Sequence, residues 1–132
     1  MAATPDDPFD ETGLRDHERV NRTDWDAYSD EYQARHGAQL AEHAGLAWGV
    51  TQIPEAELRI LGEVAGLDIL EFGCGAAQWS ISLAKLGARP VGLDLSERQL
   101  EHARRLMTEA SVEFPLVHAS AEAVPLPDAS FD

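Results

Sequence analysis

Cysteine, basic residues and long apolar runs are all scarce in this sequence of 132 residues. Its single cysteine, Cys74, excludes an internal disulfide. There is no run of 18 apolar residues, and the acidic N-terminus lacks a signal-peptide pattern. The sequence therefore predicts a cytoplasmic protein with no membrane partner. Only 10 Lys and Arg residues oppose 24 Asp and Glu residues, and the resulting net charge of −14 argues against nucleic acid as a partner. Small or neutral partners fit this charge better.

Metal-ligand spacing is also missing. The five histidines are scattered through the chain and form no Cys/His pattern, so the sequence predicts no metal site. No base stands beside Cys74 in sequence to activate a thiolate, which indicates a structural cysteine.

The stretch 67–96 reads as strand, glycine turn, helix, strand and acidic residue. Residues 68–72 form a short apolar run, and Gly73-Cys74-Gly75 allows a sharp backbone turn after it. A helix is predicted over 77–86, and a second strand over 89–93 ends at Asp94. Two parallel strands joined by such a helix form a right-handed βαβ unit.

Ligands of open α/β sheets bind beyond the carboxyl ends of the strands. Gly73, Gly75 and Asp94 should therefore face one crevice, where the carboxylate could accept hydrogen bonds from both ribose hydroxyls of an adenosine-containing ligand. A dinucleotide fingerprint would have a third glycine where Gln78 stands. This substitution disfavours an NAD(P)-dependent oxidoreductase, which is kept as an alternative.

The segment Glu71-Phe-Gly73-Cys74-Gly75-Ala-Ala77, followed by Asp94-Leu95-Ser96, resembles the first two cofactor motifs of class I S-adenosylmethionine-dependent methyltransferases. Many members have a third glycine where Ala77 stands. The resemblance implies S-adenosylmethionine as the cofactor. Gly73 and Gly75 would line its methionine and ribose portion, and Asp94 would bind the ribose hydroxyls. Glu71, Cys74 and Leu95 are further expected contacts.

The segment 119–132 resembles the third motif of the same family and the lead into its fourth strand. In most members an aspartate stands at the position of Ser120 and holds the adenine amino group. By this resemblance Ser120 and Ala121 border the adenine, and Glu122 is an additional contact. The departure at Ser120 removes a charge from the expected adenine site.

An N-terminal helix is predicted to begin at Thr23 or Asp24, which would cap it. An aromatic stripe, Trp25, Tyr28 and Tyr32, lies on one face of it, and His36 follows four residues later. Such stripes commonly pack on a core. The segment also resembles the N-terminal helix of many small-molecule methyltransferases, which implies that Tyr32 contacts the cofactor. Further along, Pro54 should start a helix that ends at Gly66.

The predicted fold is a Rossmann-like α/β protein, a three-layer αβα arrangement with a parallel sheet that is truncated before the fourth strand. Its divisions are an acidic flexible tail (1–20), an N-terminal helical lid region (21–66) and the cofactor-binding core (67–132). The capping pair Ser96 and Gln99 begins the helix after Asp94, and a third strand follows at about 114–118. The chain is expected to be a fragment of a longer protein.

The resemblance implies methyl transfer to a small-molecule acceptor, with no catalytic base named. A non-catalytic cofactor-binding fragment remains a further alternative.

Overall fold

The computed structural model of the chain describes residues 11–132, except for the side chains of residues 43 and 44. In chain order its main elements are helix α1 (Asp16–Ala41), strands β1 (Ala47–Trp48) and β2 (Ile53–Pro54), helix α2 (Glu55–Leu58), strand β3 (Asp68–Phe72), helix α3 (Gln78–Lys85), strand β4 (Arg89–Asp94), helix α4 (Glu97–Ala110) and strand β5 (Leu116–His118). Two 3-10 turns, Glu11–Gly13 and Glu42–Gly45, flank α1. Across residues 11–132, no helix is both long and apolar enough to cross a bilayer.

The main sheet is parallel, with strand order β3-β4-β5. Leu70 lies opposite Val91, and Gly92 lies opposite Leu116. This arrangement confirms the predicted Rossmann-like α/β class and the βαβ unit. β1 and β2 form a separate antiparallel hairpin.

Both crossover helices cover one face of the sheet. Ile81 of α3 and Leu100 of α4 pack with Leu116 of β5 in one buried cluster. On the opposite face, Leu93 and Val117 pack with Val124 and Leu126, which lie in a segment of turns after β5. Leu100, Ala103 and Met107 of α4 are buried at helical spacing, so one face of this helix packs on the sheet.

The predicted start of the N-terminal helix needs correction. α1 begins at Asp16 and not at Thr23 or Asp24. Arg15 occupies the N-cap position, and its N–H donates to the Glu18 carboxylate at 2.7 Å. This hydrogen bond stabilises the first turn of the helix about two turns before the predicted start.

The helix predicted from Pro54 to Gly66 also needs correction, because it is only the short α2. The helix ends where Arg59 adopts a left-handed backbone conformation, with a φ of 50°. An α-helix cannot continue through such a residue.

The predicted flexible tail, residues 1–20, lies only partly within the described residues. Residues 1–10 lie outside the described residues, whereas residues 16–20 are helical.

The predicted capping pair at α4 is half right. Ser96 caps the helix, and its hydroxyl accepts from the Gln99 N–H at 3.2 Å. The Gln99 side chain does not return to Ser96, because its Oε1 accepts from the Gln33 side chain of α1 at 3.0 Å.

At the chain's last residue, Asp132 meets the beginning of β3. Its N–H donates to the Asp68 carbonyl at 2.8 Å, and one of its carboxylate oxygens accepts from the Asp68 N–H at 2.8 Å. These contacts lie beside β3, where the sequence places the start of a fourth strand. Within residues 11–132, β4 is the one strand that pairs with β3, and Phe72 at the end of β3 is exposed.

Gly92 sits where the sheet supports the glycine turn. A Cβ built there would lie 3.0 Å from both the Cys74 Sγ and a Leu116 methyl carbon. Buried atoms this close must shift to admit a methyl group, which costs stability.

We predict that Gly92→Ala lowers the free energy of unfolding by about 1–3 kcal/mol. Gly13→Ala is the matched control, because nothing lies within 4 Å of a Cβ at that position. Urea unfolding of both variants measures the difference. Equal midpoints for the two variants would contradict the tight packing behind the glycine turn.

Candidate functional site

A cavity of about 610 Å³ opens at the carboxyl ends of β3 and β4. This volume is in the range of small-molecule sites. Every cofactor contact expected from the sequence lines it: Tyr32, Glu71, Gly73, Cys74, Gly75, Asp94, Leu95, Ser120, Ala121 and Glu122. The structure thus brings together residues from four separate parts of the chain.

Asp94 connects two parts of the cavity wall, the glycine turn and the N-terminus of α4. One carboxylate oxygen accepts from the Gly75 N–H at 2.8 Å, and the other accepts from the Ser96 N–H at 2.8 Å. The side chain therefore holds the glycine turn against the N-terminus of α4. Burial raises the pKa of Asp94, and these backbone hydrogen bonds oppose that rise.

The glycine turn exposes backbone to the cavity. Gly73 and Gly75 have φ angles of 59° and 55°, which L side chains rarely adopt. A Cβ at Gly73 would meet nothing within 4 Å, so protein packing does not account for the glycine there. Ala77 ends the turn with a φ of 59° and caps α3. The alanine in place of a third glycine thus keeps the left-handed conformation of the turn.

The carboxyl group of Glu71 lies in the cavity wall. Its Oε1 accepts from the Ser80 hydroxyl at 2.6 Å and from the Ser80 N–H at 3.1 Å. Burial raises the pKa of Glu71 from 4.5 to about 7, against the lowering effect of the Ser80 hydrogen bonds, and the nearby Asp94 charge adds to the rise. Glu71 can therefore change its charge near neutral pH.

Cys74, the middle residue of the glycine turn, has a buried side chain. Burial raises the pKa of its thiol, and the Glu71 and Asp94 carboxylates add to the effect. A thiol in this environment is a poor nucleophile. The structural role expected from the sequence agrees with this geometry.

Helix α1 covers the cavity. Its Trp25 and Tyr32 line the wall, and their ring centroids lie 5.2 Å apart in an edge-on arrangement. Tyr28 and His36 extend the same row of rings. Trp25 is 41% exposed, so the stripe is a partly open surface over the cavity and not part of a closed core.

Charged and polar contacts fix α1 to the start of α4. Asp26 accepts from the Ser96 hydroxyl at 2.6 Å and from the Arg98 N–H at 3.2 Å. Asp30 forms a two-point ion pair with the Arg98 guanidinium at 2.6 and 3.0 Å. A carboxylate at a helix N-terminus is favoured by the helix dipole. These contacts set the position of α1 over the cavity.

Three glutamines connect α1 to both crossover helices. The Gln78 amide donates to the Gln33 carbonyl oxygen at 3.1 Å, and the Gln33 amide donates to Gln99 at 3.0 Å. Gln78, which replaces the third glycine of a dinucleotide fingerprint, thus ties the N-terminus of α3 to α1.

Ser120 has a carboxylate neighbour from α1. Its hydroxyl oxygen accepts from the Glu122 N–H at 3.1 Å, and the Ser120 hydroxyl lowers the pKa of the Glu18 carboxyl group. Glu18 is buried and lines the cavity. Sequence reasoning misses Glu18, because the predicted helix begins after it. The helical spacing of Glu18, Asn21 and Trp25 is the signal that an earlier helix start would have revealed.

One group within residues 11–132 has the donor set of a metal site. His17, Glu18 and Glu122 each offer an atom within 4.8 Å of the others. Protein groups already contact all three, since Glu18 accepts from Arg15 and the His17 ring lies 2.7 Å from a Glu122 oxygen. These contacts account for the cluster without a metal, and the absence of a metal stays a prediction.

Part of the chain is similar in sequence to known proteins. Residues 69–132 match a family model described as "Methyltransferase domain". A demethylmenaquinone methyltransferase of Listeria monocytogenes is 37% identical over 79 residues, which cover 57% of this chain and 33% of the relative. A ubiquinone biosynthesis O-methyltransferase of Ruegeria sp. is 36% identical over 78 residues, covering 59% and 32%.

The fold has a counterpart among solved structures. The magnesium protoporphyrin IX methyltransferase of Synechocystis PCC 6803, with bound SAH, superposes with a TM-score of 0.62 at 20% identity over 83% of this chain and 54% of that one. The chain spans about a third of the length of the two curated relatives. Residues 69–132, which carry the glycine turn and Asp94, are thus similar to a methyltransferase domain.

Proposed function

We propose that this chain supplies the S-adenosylmethionine-binding part of a methyltransferase that acts on a small molecule. The observation that carries the proposal is the meeting of the Gly73–Gly75 turn and the Asp94 carboxylate at one cavity. The similarity of residues 69–132 to a methyltransferase domain supports the same cofactor. Because the chain spans about a third of its relatives' length, the proposal concerns the activity of the whole protein.

The cavity offers a place for each part of the cofactor. Gly73 and Gly75 present bare backbone to the methionine and ribose portion, and Asp94 has oxygens for the ribose hydroxyls. Ser120 and Ala121 border the adenine. The remaining wall residues are assigned as cofactor contacts without a specific hydrogen bond: Tyr32, Cys74, Leu95 and Glu122.

The charges of the cavity favour a cationic ligand. Its acidic side chains are Glu18, Glu71, Asp94 and Glu122, and no Lys, Arg or His among the described residues lines it. S-adenosylmethionine carries a positive sulfonium and an ammonium group, which a carboxylate such as Glu71 attracts.

The same charges disfavour the oxidoreductase alternative, because a dinucleotide would bring an anionic pyrophosphate to this wall. The pyrophosphate normally lies at the N-terminus of the first crossover helix. Here Gln78 occupies that end of α3 and is bonded to α1.

The cofactor, when bound, supplies an activated methyl group. The task of the chain is then to hold and orient it and to exclude water. Helix α1, with Trp25 and Tyr32 in the cavity wall, would perform the exclusion. No catalytic base is assigned among the described residues.

The relatives' names suggest the class of acceptor. Demethylmenaquinone and ubiquinone biosynthesis both point to small organic substrates. The net charge of −14 adds an unfavourable long-range interaction with nucleic acid. We therefore propose a small organic acceptor and no nucleic-acid partner. The cytoplasmic location stays a prediction.

The cofactor assignment predicts that S-adenosylmethionine binds in calorimetry and NADH does not. Asp94→Asn should weaken S-adenosylmethionine binding about tenfold to a hundredfold, because a charged acceptor is worth about 1.5–3 kcal/mol. Asp24→Asn is the matched control, since Asp24 is exposed on α1.

Thermal unfolding of both variants separates lost binding from lost structure, because Asp94 also holds the glycine turn. Equal affinity for the folded Asp94→Asn and Asp24→Asn variants would remove Asp94 from the site. Binding of NADH in preference to S-adenosylmethionine would overturn the proposed function.

The raised pKa of Glu71 predicts a pH-dependent affinity. Below about pH 7 the ligand-free carboxyl is largely protonated, and a cationic ligand must displace that proton. S-adenosylmethionine affinity should therefore rise between pH 6 and pH 8 by about fivefold to tenfold more in the wild type than in Glu71→Gln.

The ratio of the two affinities at each pH cancels the ligand's own ionisation. Glu63→Gln, at an exposed position, should follow the wild type. A ratio that stays constant from pH 6 to pH 8 would show that Glu71 does not face the cationic part of the ligand.

A further inference from the structure

We propose that Glu18 is the carboxylate that recognises the adenine amino group of the cofactor. This inference rests on the function proposed above and adds the residue that selects the base. It starts from a buried acidic side chain that belongs to α1 and yet lines the cavity beside Ser120 and Ala121.

Glu18 lies at the adenine end of the proposed site. Its carboxylate lies within 4.8 Å of a carboxylate oxygen of Glu122, which directly follows the backbone assigned to border the base. Asn21, one turn further along α1, also lines the cavity. An adenine placed against Ala121 would therefore lie next to this face of the helix.

Ser120 itself is poorly suited to hold the amino group. Its hydroxyl oxygen accepts from the Glu122 N–H at 3.1 Å. A neutral hydroxyl is also a weaker acceptor than an ionised carboxylate. The negative charge that position 120 lacks is instead supplied by Glu18, which lines the same part of the cavity.

Helix capping accounts for only part of the Glu18 environment. Its Oε2 accepts from the Arg15 N–H at 2.7 Å, as expected for the third residue of a helix. A cap of this kind can remain in water, whereas Glu18 is only 5% exposed. A carboxylate has about four acceptor positions, and the Arg15 N–H uses one of them.

The charge state of Glu18 suits an acceptor. The Ser120 hydroxyl and then the Arg15 N–H hold the pKa of Glu18 below its usual value. Glu122, the other carboxylate nearby, is more exposed and is paired with Arg15 and His17. Glu18 is therefore the better placed of the two carboxylates.

This assignment predicts base selectivity. Adenine presents an amino donor at its six position, whereas hypoxanthine presents an oxygen acceptor there that a carboxylate repels. A site that hydrogen-bonds one group rejects the analogue that lacks it, because its buried acceptor is left unpaired. Glutamine at position 18 could donate its amide to the oxygen or accept from the amino group.

The experiment measures the affinities of S-adenosylhomocysteine and S-inosylhomocysteine by calorimetry for the wild type, Glu18→Gln and the exposed control Glu63→Gln. The wild type and Glu63→Gln should prefer the adenosyl ligand by about tenfold to a hundredfold. Glu18→Gln should bind the two ligands nearly equally. Glutamine at this helix position also supports capping, so this variant should fold.

A second variant keeps the test independent of that cap. Ser120→Ala removes the hydroxyl that orients Glu18 and should reduce the preference while leaving the charge in place. If Glu18→Gln weakens both ligands by the same factor and retains the preference, Glu18 only caps α1 and the inference is overturned. If the wild type binds neither ligand, the proposed function fails, and the inference fails with it.

Discussion

The carboxylate of Asp94 is the contact on which the cavity depends. It accepts one hydrogen bond from the glycine turn after β3 and another from the N-cap residue of α4, both at 2.8 Å. The two βα connections are thereby fixed to each other across the end of the sheet. The same side chain lines the cavity, so it both sets the shape of the wall and offers acceptors to a ligand. Loss of Asp94 should therefore change structure and binding together.

Helix α1 completes the wall through a second set of contacts. Asp26 and Asp30 bind the start of α4, while Trp25 and Tyr32 line the cavity. The acidic side chains of α1 thus hold the helix to α4, whereas its aromatic side chains cover the cavity. The covering helix is attached through the exposed ion pair of Asp30 with Arg98 and through part-buried hydrogen bonds of Asp26 and Gln33.

Elements of this fold that depend on local sequence signals could be predicted, whereas contacts between residues far apart in sequence could not. The βαβ unit is predictable because its strands, turn and helix carry local signals within residues 67–96. The start of α1 could not be predicted, because the N-cap residue Arg15 is not a typical capping residue. The first turn is stabilised instead by the hydrogen bond from the Arg15 N–H to Glu18. The glutamine network and the Glu18 contact with Ser120 join residues far apart in sequence, and only tertiary packing brings them together.

The two carboxyl groups beside the glycine turn act on each other. Burial makes the ionised form of each unfavourable, and the charge of Asp94 further raises the pKa of Glu71. The ordinary pKa of an aspartate is the lower of the two, and the N–H groups of Gly75 and Ser96 stabilise the charge of Asp94 from two sides. Asp94 should therefore ionise first and Glu71 second. A cation placed between them would favour both charges at once, so ligand binding and the loss of the Glu71 proton become a single coupled event.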